Sequence, residues 1–502
     1  MTETPTTGPY AFRNQPENLD PPSEIDAAAS YSLQTFLQER GSFETPEDNE
    51  KRIDVLVKLN ELVTQFVREV YRAHNNDLSN IDSVHGKLVT YGSFRLGISS
   101  PGSDIDALCI APRYVTRTDF FQTFYKILLN HTLVTNLVKI DTATVPLLTM
   151  RFQGIDVDLA FAQLATNEID PAMDDSYLEN DNILNDIDAR TITSLNGVRV
   201  SNMIQKLVPN VENFGILLRF IRIWSKERGI YGNVYGYLGG VNCALLCAFI
   251  CQRYPKALPS MLVLMFFQDL STWSWPEPIY INTPNTGTQV SWDNSVGTTG
   301  RRDLMPIITP AYPAMNSLKS ATRSSRQKMM KEFHRGYKLT KRVLLKGLLW
   351  DAVVAPSNFF MQYRKYVQVN VWAGTKEDYN KWVGTIESRI RKLTCMLECV
   401  RFMTGVYIWP DHFDHPDEEG HENAGSFFIA IEYDIPKEES VDRRIDISEA
   451  CQKFIDYMYQ YNGRTDQMGI FMKLRDRPML PDFVFPNGRP APKHKTKMSS
   501  GV

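Results

Sequence analysis

Apolar residues recur at spacings of three and four from residue 23 to about 75. Ile53, Val57, Leu59, Leu62, Val63, Phe66, Val67 and Val70 trace one side of a helix. Residues 85–92 read as a strand ending in a turn. Three short β-like runs follow at 105–111, 145–152 and 155–162, and a helical segment at 117–135 separates the first two. Alternating strand and helix predicts an α/β domain. The stretch 213–259 has another texture, helical, apolar and aromatic, with Leu217, Leu218, Phe220, Ile221, Ile223 and Trp224 ahead of a Gly-rich turn at 236–240. Near 355 a third regime begins. Residues 366–372 and 427–434 read as strands and 384–403 and 447–461 as helices, which predicts a small α+β sandwich.

A chain of 502 residues is too long for one ordinary core. The texture divides it into a loose Pro-, Thr- and Asn-rich arm at 1–22, domains at 23–203, 204–354 and 355–492, and a basic tail at 493–502. Its longest apolar run, 238–251, contains Asn242 and falls short of the roughly 20 residues of a membrane span, so it predicts a buried helix. The polar start of the chain lacks the apolar centre of a signal peptide.

Net charge is −3, which removes any bulk-charge argument for nucleic acid. Charge is nevertheless uneven. Residues 319–346 carry ten basic side chains against one acid, while 168–188 and 411–450 are strongly acidic. The basic block is the one polyanion surface the sequence offers, with Arg323, Arg326 and Lys328 as candidate RNA contacts. Cys243, Cys247 and Cys251, and likewise Cys395 and Cys399, fall at helical spacing, so both sets are expected to be core thiols. His412, His415 and His421 are expected in a solvated acidic loop with Asp414 and Asp417, where a metal site is the weaker reading.

The sharpest local pattern is Tyr91-Gly92-Ser93-Phe94-Arg95-Leu96-Gly97 followed by Gly102-Ser103-Asp104-Ile105-Asp106. A Gly-Ser pair at a strand-to-helix turn offers backbone N–H groups to a phosphate. Asp104 and Asp106, two apart on a strand, project from one face and repel unless a cation lies between them. Mg²⁺ suits hard oxygen ligands and phosphates. Asp-x-Asp alone is a weak signal, since 156–158 and 186–188 repeat it. A third acid from a nearby strand strengthens it, and spacing leaves Asp156 and Asp158 equally eligible. Three carboxylates beside a phosphate turn make a two-metal phosphoryl or nucleotidyl transfer site.

Gly-Ser, a ten-residue gap, Asp-x-Asp and a later Asp resemble the polymerase-β-type nucleotidyltransferases. The wider match resembles the eukaryotic nuclear poly(A) polymerases: Leu195-Asn196-Gly197, Ile223-Trp224, Ile230-Tyr231, Gly239-Gly240-Val241, the run 305–313, Glu332-Phe333 and Lys381-Trp382, in the same order over roughly 20–480. The resemblance implies an α/β nucleotidyltransferase domain, a helical central domain and an RNA-recognition-like C-terminal domain. By position it implies Asp104, Asp106 and Asp158 as metal-binding and catalytic acids, because the essential third acid precedes Leu159-Ala160-Phe161. It implies Tyr91, Gly92, Ser93, Val145, Asn196, Arg222, Lys226, Tyr231, Asn233, Gly240 and Val241 as ATP contacts. Two positions depart from the family pattern. Arg222 replaces a Lys that meets the triphosphate, with Lys226 one turn on, and Thr149 replaces a Lys that some members carry near the RNA 3′ end.

The implied activity is template-independent addition of adenylate from ATP to RNA 3′ ends, with two Mg²⁺ ions for which Mn²⁺ can substitute. The implied setting is a monomeric catalytic subunit in the nucleus, working with pre-mRNA cleavage and polyadenylation factors and no membrane. The rivals are uridylyl or CCA addition, and an inactive RNA-binding scaffold.

Overall fold

The computed structural model describes residues 14–75, 78–141, 145–283, 285, 287–295, 298–416, 420–436, 445–486 and 488–489. Most of the arm at 1–22, all of the tail at 493–502 and Asp417 lie outside these residues. The chain forms two compact units. The first comprises Met1–Trp224, Gly239–Lys319 and Phe333–Val354, and the second Ser225–Leu238, Ser320–Glu332 and Ala355–Val502.

The first unit opens with two helices where the sequence pattern suggested one long helical stretch. Glu24–Glu39 and Pro46–His74 each start with a capping box, Ser23 with Asp26 and Thr45 with Asp48. Gly41, at φ +63°, breaks the chain between them, and Pro46 starts the second. Five strands follow: β1 (Lys87–Thr90), β2 (Ile105–Ala111), β3 (Val134–Ile140), β4 (Leu147–Phe152) and β5 (Ile155–Gln163). Their sheet order is β1-β2-β5-β4-β3, with β2 and β5 parallel and the other pairs antiparallel. β2 is covered on both faces. Ala107, Cys109 and Ala111 join Leu59, Val63 and Phe66 of the long helix. Leu108 and Ile110 join Leu195 and Val198 of the helix Ala189–Lys206 on the other side. Burial on both faces explains why this strand reads as an unbroken apolar run.

β3 departs from expectation, because the sequence reading carried helix through residue 135. The helical part stops at Leu129, and β3 is a largely exposed edge with a register shift between Thr135 and Val138. An exposed, bulged edge has no alternation to read. Further helices, Val211–Glu227, Gly240–Arg253 and Pro259–Thr272, carry the aromatic stretch. Trp224 is fully buried against Phe266, Phe267 and Phe333. Among the described residues no helix is long and apolar enough to cross a membrane.

In the second unit β6 (Lys365–Trp372), β7 (Met403–Asp414), β8 (Ala424–Tyr433) and β9 (Gly469–Asp476) form an antiparallel sheet in the order β7-β8-β6-β9. The sequence showed β6 and β8 but neither edge. β7 carries Pro410, Asp411 and His412 across a register shift, and β9 carries Lys473, Arg475 and Asp476. Charge and Pro on an edge protect it from pairing and hide it from pattern recognition. The helical run placed at 384–403 is two helices, Lys376–Glu387 and Ile390–Glu398, and stops at Glu398, ahead of β7.

Two side-chain expectations need correction. Cys243, Cys247 and Cys251 are buried as expected, but Cys395 and Cys399 are exposed. The helix Ile390–Glu398 turns Ile390, Leu393 and Leu397 inward, which leaves Cys395 on its outer face and Cys399 at its C-terminal cap. The histidines do not share a solvated loop. His412 lies within β7, His415 Nε2 sits 2.8 Å from Ser426 Oγ, and His421 stacks on Trp372.

Candidate active site

The parity of β2 and β5 places the acids. Asp106 shares its face with Leu108 and Ile110, and Asp158 shares its face with Ala160 and Ala162. The parallel register sets Asp106 directly beside Asp158. Asp104 stands just ahead of β2, and ligand oxygens of all three lie within 4.8 Å of one another. No other group of three or more His, Cys, Asp or Glu among the described residues has metal-holding geometry. Asp156 is on the same strand face but 64% exposed, 3.5 Å from Arg151. The geometry separates two acids that spacing left equal.

Burial, then Asp104 and Asp158, pushes the Asp106 carboxyl up to about 7, and Arg222 draws it partly back. Burial, then Asp104 and Asp156, pushes Asp158 up to about 6. Tyr91 is also raised, first by burial and then by Asp106, Asp158 and Asp104. Three half-screened carboxylates at this separation repel, and a divalent cation with hard oxygen preference is the group that relieves them. The donor set therefore fits such an ion.

The Gly-Ser turn is built against these acids. Tyr91 caps the short helix Gly92–Arg95 in extended conformation, and its N–H donates to the Asp106 carbonyl at 3.0 Å. Gly92 has φ +64°, and a Cβ there would come within 2.0 Å of Asp106 Oδ2, so only glycine fits. Its N–H donates to Ser201 Oγ at 3.2 Å. The expectation that this N–H faces a phosphate is corrected: the donor is already engaged inside the protein. Ser93 is half-buried and its carbonyl accepts from Ile98.

The other expected contacts fall in both units. In the first, Val145 packs on the cluster containing Leu108 and Ala160. Asn196 is half-buried, with a buried Oδ1 that accepts nothing from the protein, and Gly197 beside it approaches the Tyr91 ring too closely for any Cβ to be comfortable. Arg222 lies near enough to Asp106 to act on its charge. Gly240 and Val241 begin the helix Gly240–Arg253 and are exposed. Thr149 is the cross-strand neighbour of Asp158. In the second unit, Lys226 Nζ lies 5.3 Å from the Tyr231 ring centre, and Asn233 Oδ1 accepts from Ser320 Oγ at 3.0 Å.

The candidate RNA contacts divide. Arg326 is half-buried, and Arg323 is exposed but donates to the carbonyls of Glu398 and Met403. Lys328 is 5% exposed and bonded to the Gly229 carbonyl, so it cannot belong to a solvent-facing basic surface. Its i, i+4 neighbour Glu332 is also turned inward, bonded to Arg228.

Three positioning residues escaped sequence reading. Arg52, buried in the long helix, donates to the carbonyls of Ser103 and Asp104 and pairs with Glu44. Arg219 donates to the carbonyls of Ser42, Gly97, Ile98 and Ser99. Ser201 receives the Gly92 N–H. For the two arginines the available signal was a charge on an otherwise apolar helix face, and Ser201 offered none.

The family model described as the poly(A) polymerase nucleotidyltransferase domain matches residues 14–208, that of the central domain 213–356, and that of the predicted RNA binding domain 358–425. A Dictyostelium discoideum protein named poly(A) polymerase is 35% identical over 97% of this chain and 61% of its own length. Nuclear poly(A) polymerase 1 of Arabidopsis thaliana is 36% identical over 96% of this chain and 67% of its own length. Nuclear poly(A) polymerase 4 of the same plant is 34% identical over 97% and 66%. The chain thus spans about three fifths to two thirds of the length of these relatives.

Proposed function

Because the chain belongs to the poly(A) polymerase family, we propose that it adds adenylate from ATP to the 3′ end of RNA without a template, releasing pyrophosphate. The observation that carries the reading is the convergence of Asp104, Asp106 and Asp158 within 4.8 Å on one sheet face beside the Gly92 turn.

In this reading the three acids hold two Mg²⁺ ions, or Mn²⁺ in their place. Bound there, the ions would acidify the RNA 3′-hydroxyl and neutralise charge building on the triphosphate. Arg222 brings a guanidinium beside Asp106, facing the triphosphate, and its planar fork suits two phosphate oxygens. Lys226 adds a second cation, Tyr231 a hydroxyl donor, and Asn196 Oδ1 an acceptor in need of a partner. Val145 packs on the base. Positioning and charge supply most of the catalysis, so no separate base is required.

The domain limits 23–203, 204–354 and 355–492 belong to the same proposal. So do a nuclear, monomeric catalytic subunit and recruitment by cleavage and polyadenylation factors. The test incubates the purified chain with an RNA primer, Mg²⁺ or Mn²⁺, and each nucleoside triphosphate in turn. A ladder with ATP alone is expected. Preference for UTP would overturn the base choice, and folded protein that extends nothing would overturn the enzymatic reading.

A further inference from the structure

One buried cation has no part in the chemistry above. Lys328 sits on the helix Arg323–Lys346, inside the second unit, with its amine 4.9 Å from the ring centres of both Tyr237 and Phe359. Nζ donates to the Gly229 carbonyl at 2.8 Å. The neighbouring charges are Glu332 and Arg228, which are bonded to each other through Nε at 2.9 Å and Nη2 at 3.0 Å. Burial pushes the amine down to about 7, with Glu332 opposing and Arg228 adding to the shift. Burying an amine is costly, and a methionine would fill much the same volume without that cost. What Lys328 supplies that methionine cannot is a donor aimed at one carbonyl.

That carbonyl begins the segment carrying Tyr231 and Asn233. Gly229 has φ +62°, and a Cβ would come within 2.7 Å of the Trp409 ring, so the backbone is pressed against an aromatic wall. Three residues on, Gly232 donates to the Leu238 carbonyl at 2.7 Å, and Leu238 returns a bond to Ile230 at 3.2 Å. Tyr231 lies between the two anchors, and Asn233 just beyond the second. We propose that Lys328 is a positioning residue for nucleotide binding, holding Gly229 so that Tyr231 and Asn233 meet ATP in a set geometry. The inference rests on the reading of Tyr231 and Asn233 as nucleotide contacts.

The experiment measures tailing kinetics for wild type, Lys328→Met, Tyr231→Phe and the double variant, together with their melting temperatures. Lys328→Met should raise the KM for ATP by about tenfold, the scale of one lost charge-assisted hydrogen bond, and leave the KM for primer alone. In the Tyr231→Phe background that rise should shrink, because the loop would have less to position. An unchanged ATP KM with a lowered melting temperature and lowered kcat would make Lys328 merely structural and overturn the inference. Equal effects of Lys328→Met in both backgrounds would overturn it too. Should Lys328→Met not fold, Lys328→Gln, with a donor one bond shorter, takes its place. A roughly threefold rise is then expected, and a wild-type KM overturns the inference. A wild type that tails nothing would sink the function, and a Tyr231→Phe variant with normal ATP kinetics would sink the contact assignment. Both failures are separate from that of Lys328.

Discussion

Asp106 carries two demands, since it must be ionised to hold a cation and it is buried among other acids. Its folded-state value near 7, and that of Asp158 near 6, lie above the usual 3.8 of an unfolded chain. The metal-free fold therefore has its full stabilising contribution from these groups below about pH 4 and loses it as pH climbs through 6 to 7. In chelator, the melting temperature should fall between about pH 4 and 7. Asp106→Asn should flatten that fall, and Mg²⁺ should raise the melting temperature more at the higher pH. A wild type and Asp106→Asn with parallel profiles would refute the account. For activity, Asp104→Ala, Asp106→Ala and Asp158→Ala should each remove tailing by several decades in a folded protein. Asp156→Ala should be mild, because its exposed pair with Arg151 is worth about 0–1 kcal/mol. Gly92→Ala tests the turn: with no room beside Asp106 Oδ2, the acid must move, and a displacement of about 1 Å costs on the order of a hundredfold in kcat. A near-normal Gly92→Ala enzyme would show that the turn does not set the acid.

Among the elements, those buried on one helical face or within the sheet were legible, as was the edge strand β1, and the other three edges were not. β2 and β5 were read almost to the residue, since two-sided burial leaves a continuous apolar signature. β3, β7 and β9 were missed because an edge strand keeps its charges, Pro or bulges. The break at Gly41 was missed because apolar spacing resumes soon after it. The acids of the site stood out as a motif. The arginines that fix their loop did not, since the bonds by which they hold it go to carbonyls that any residue could supply. Arg219→Met strips donors from four carbonyls and should cost about 1–3 kcal/mol in denaturant unfolding. It should also lower kcat, as the 97–104 loop leading to Asp104 slackens. A variant unchanged in both would mean that water replaces the guanidinium without loss.

At the scale of the molecule, an almost neutral chain is proposed to bind a polyanion, so the contact must be local. Lys338, Lys341 and Arg342 are among the exposed residues of the basic block, and Lys328 is not. Reversing these three to Glu should weaken primer binding and flatten its salt slope by about 0.7 per lost phosphate contact. ATP kinetics at saturating primer should hold. An unchanged slope would send the RNA path elsewhere. The primary structure by itself determined the family, the acid motif and the core strands. These depend on residue type at short spacing, which apolar periodicity and conformational demands on glycine impose locally. Tertiary structure alone decided that Asp158, which the family resemblance had singled out and strand spacing had not, stands beside Asp104 and Asp106 while Asp156 faces solvent, that the Gly92 N–H is already engaged, and that one lysine of a basic run lies inside the protein. Each of those depends on which distant strand, serine or carbonyl the fold brings within bonding or coordinating reach, and spacing along a chain carries no record of that distance.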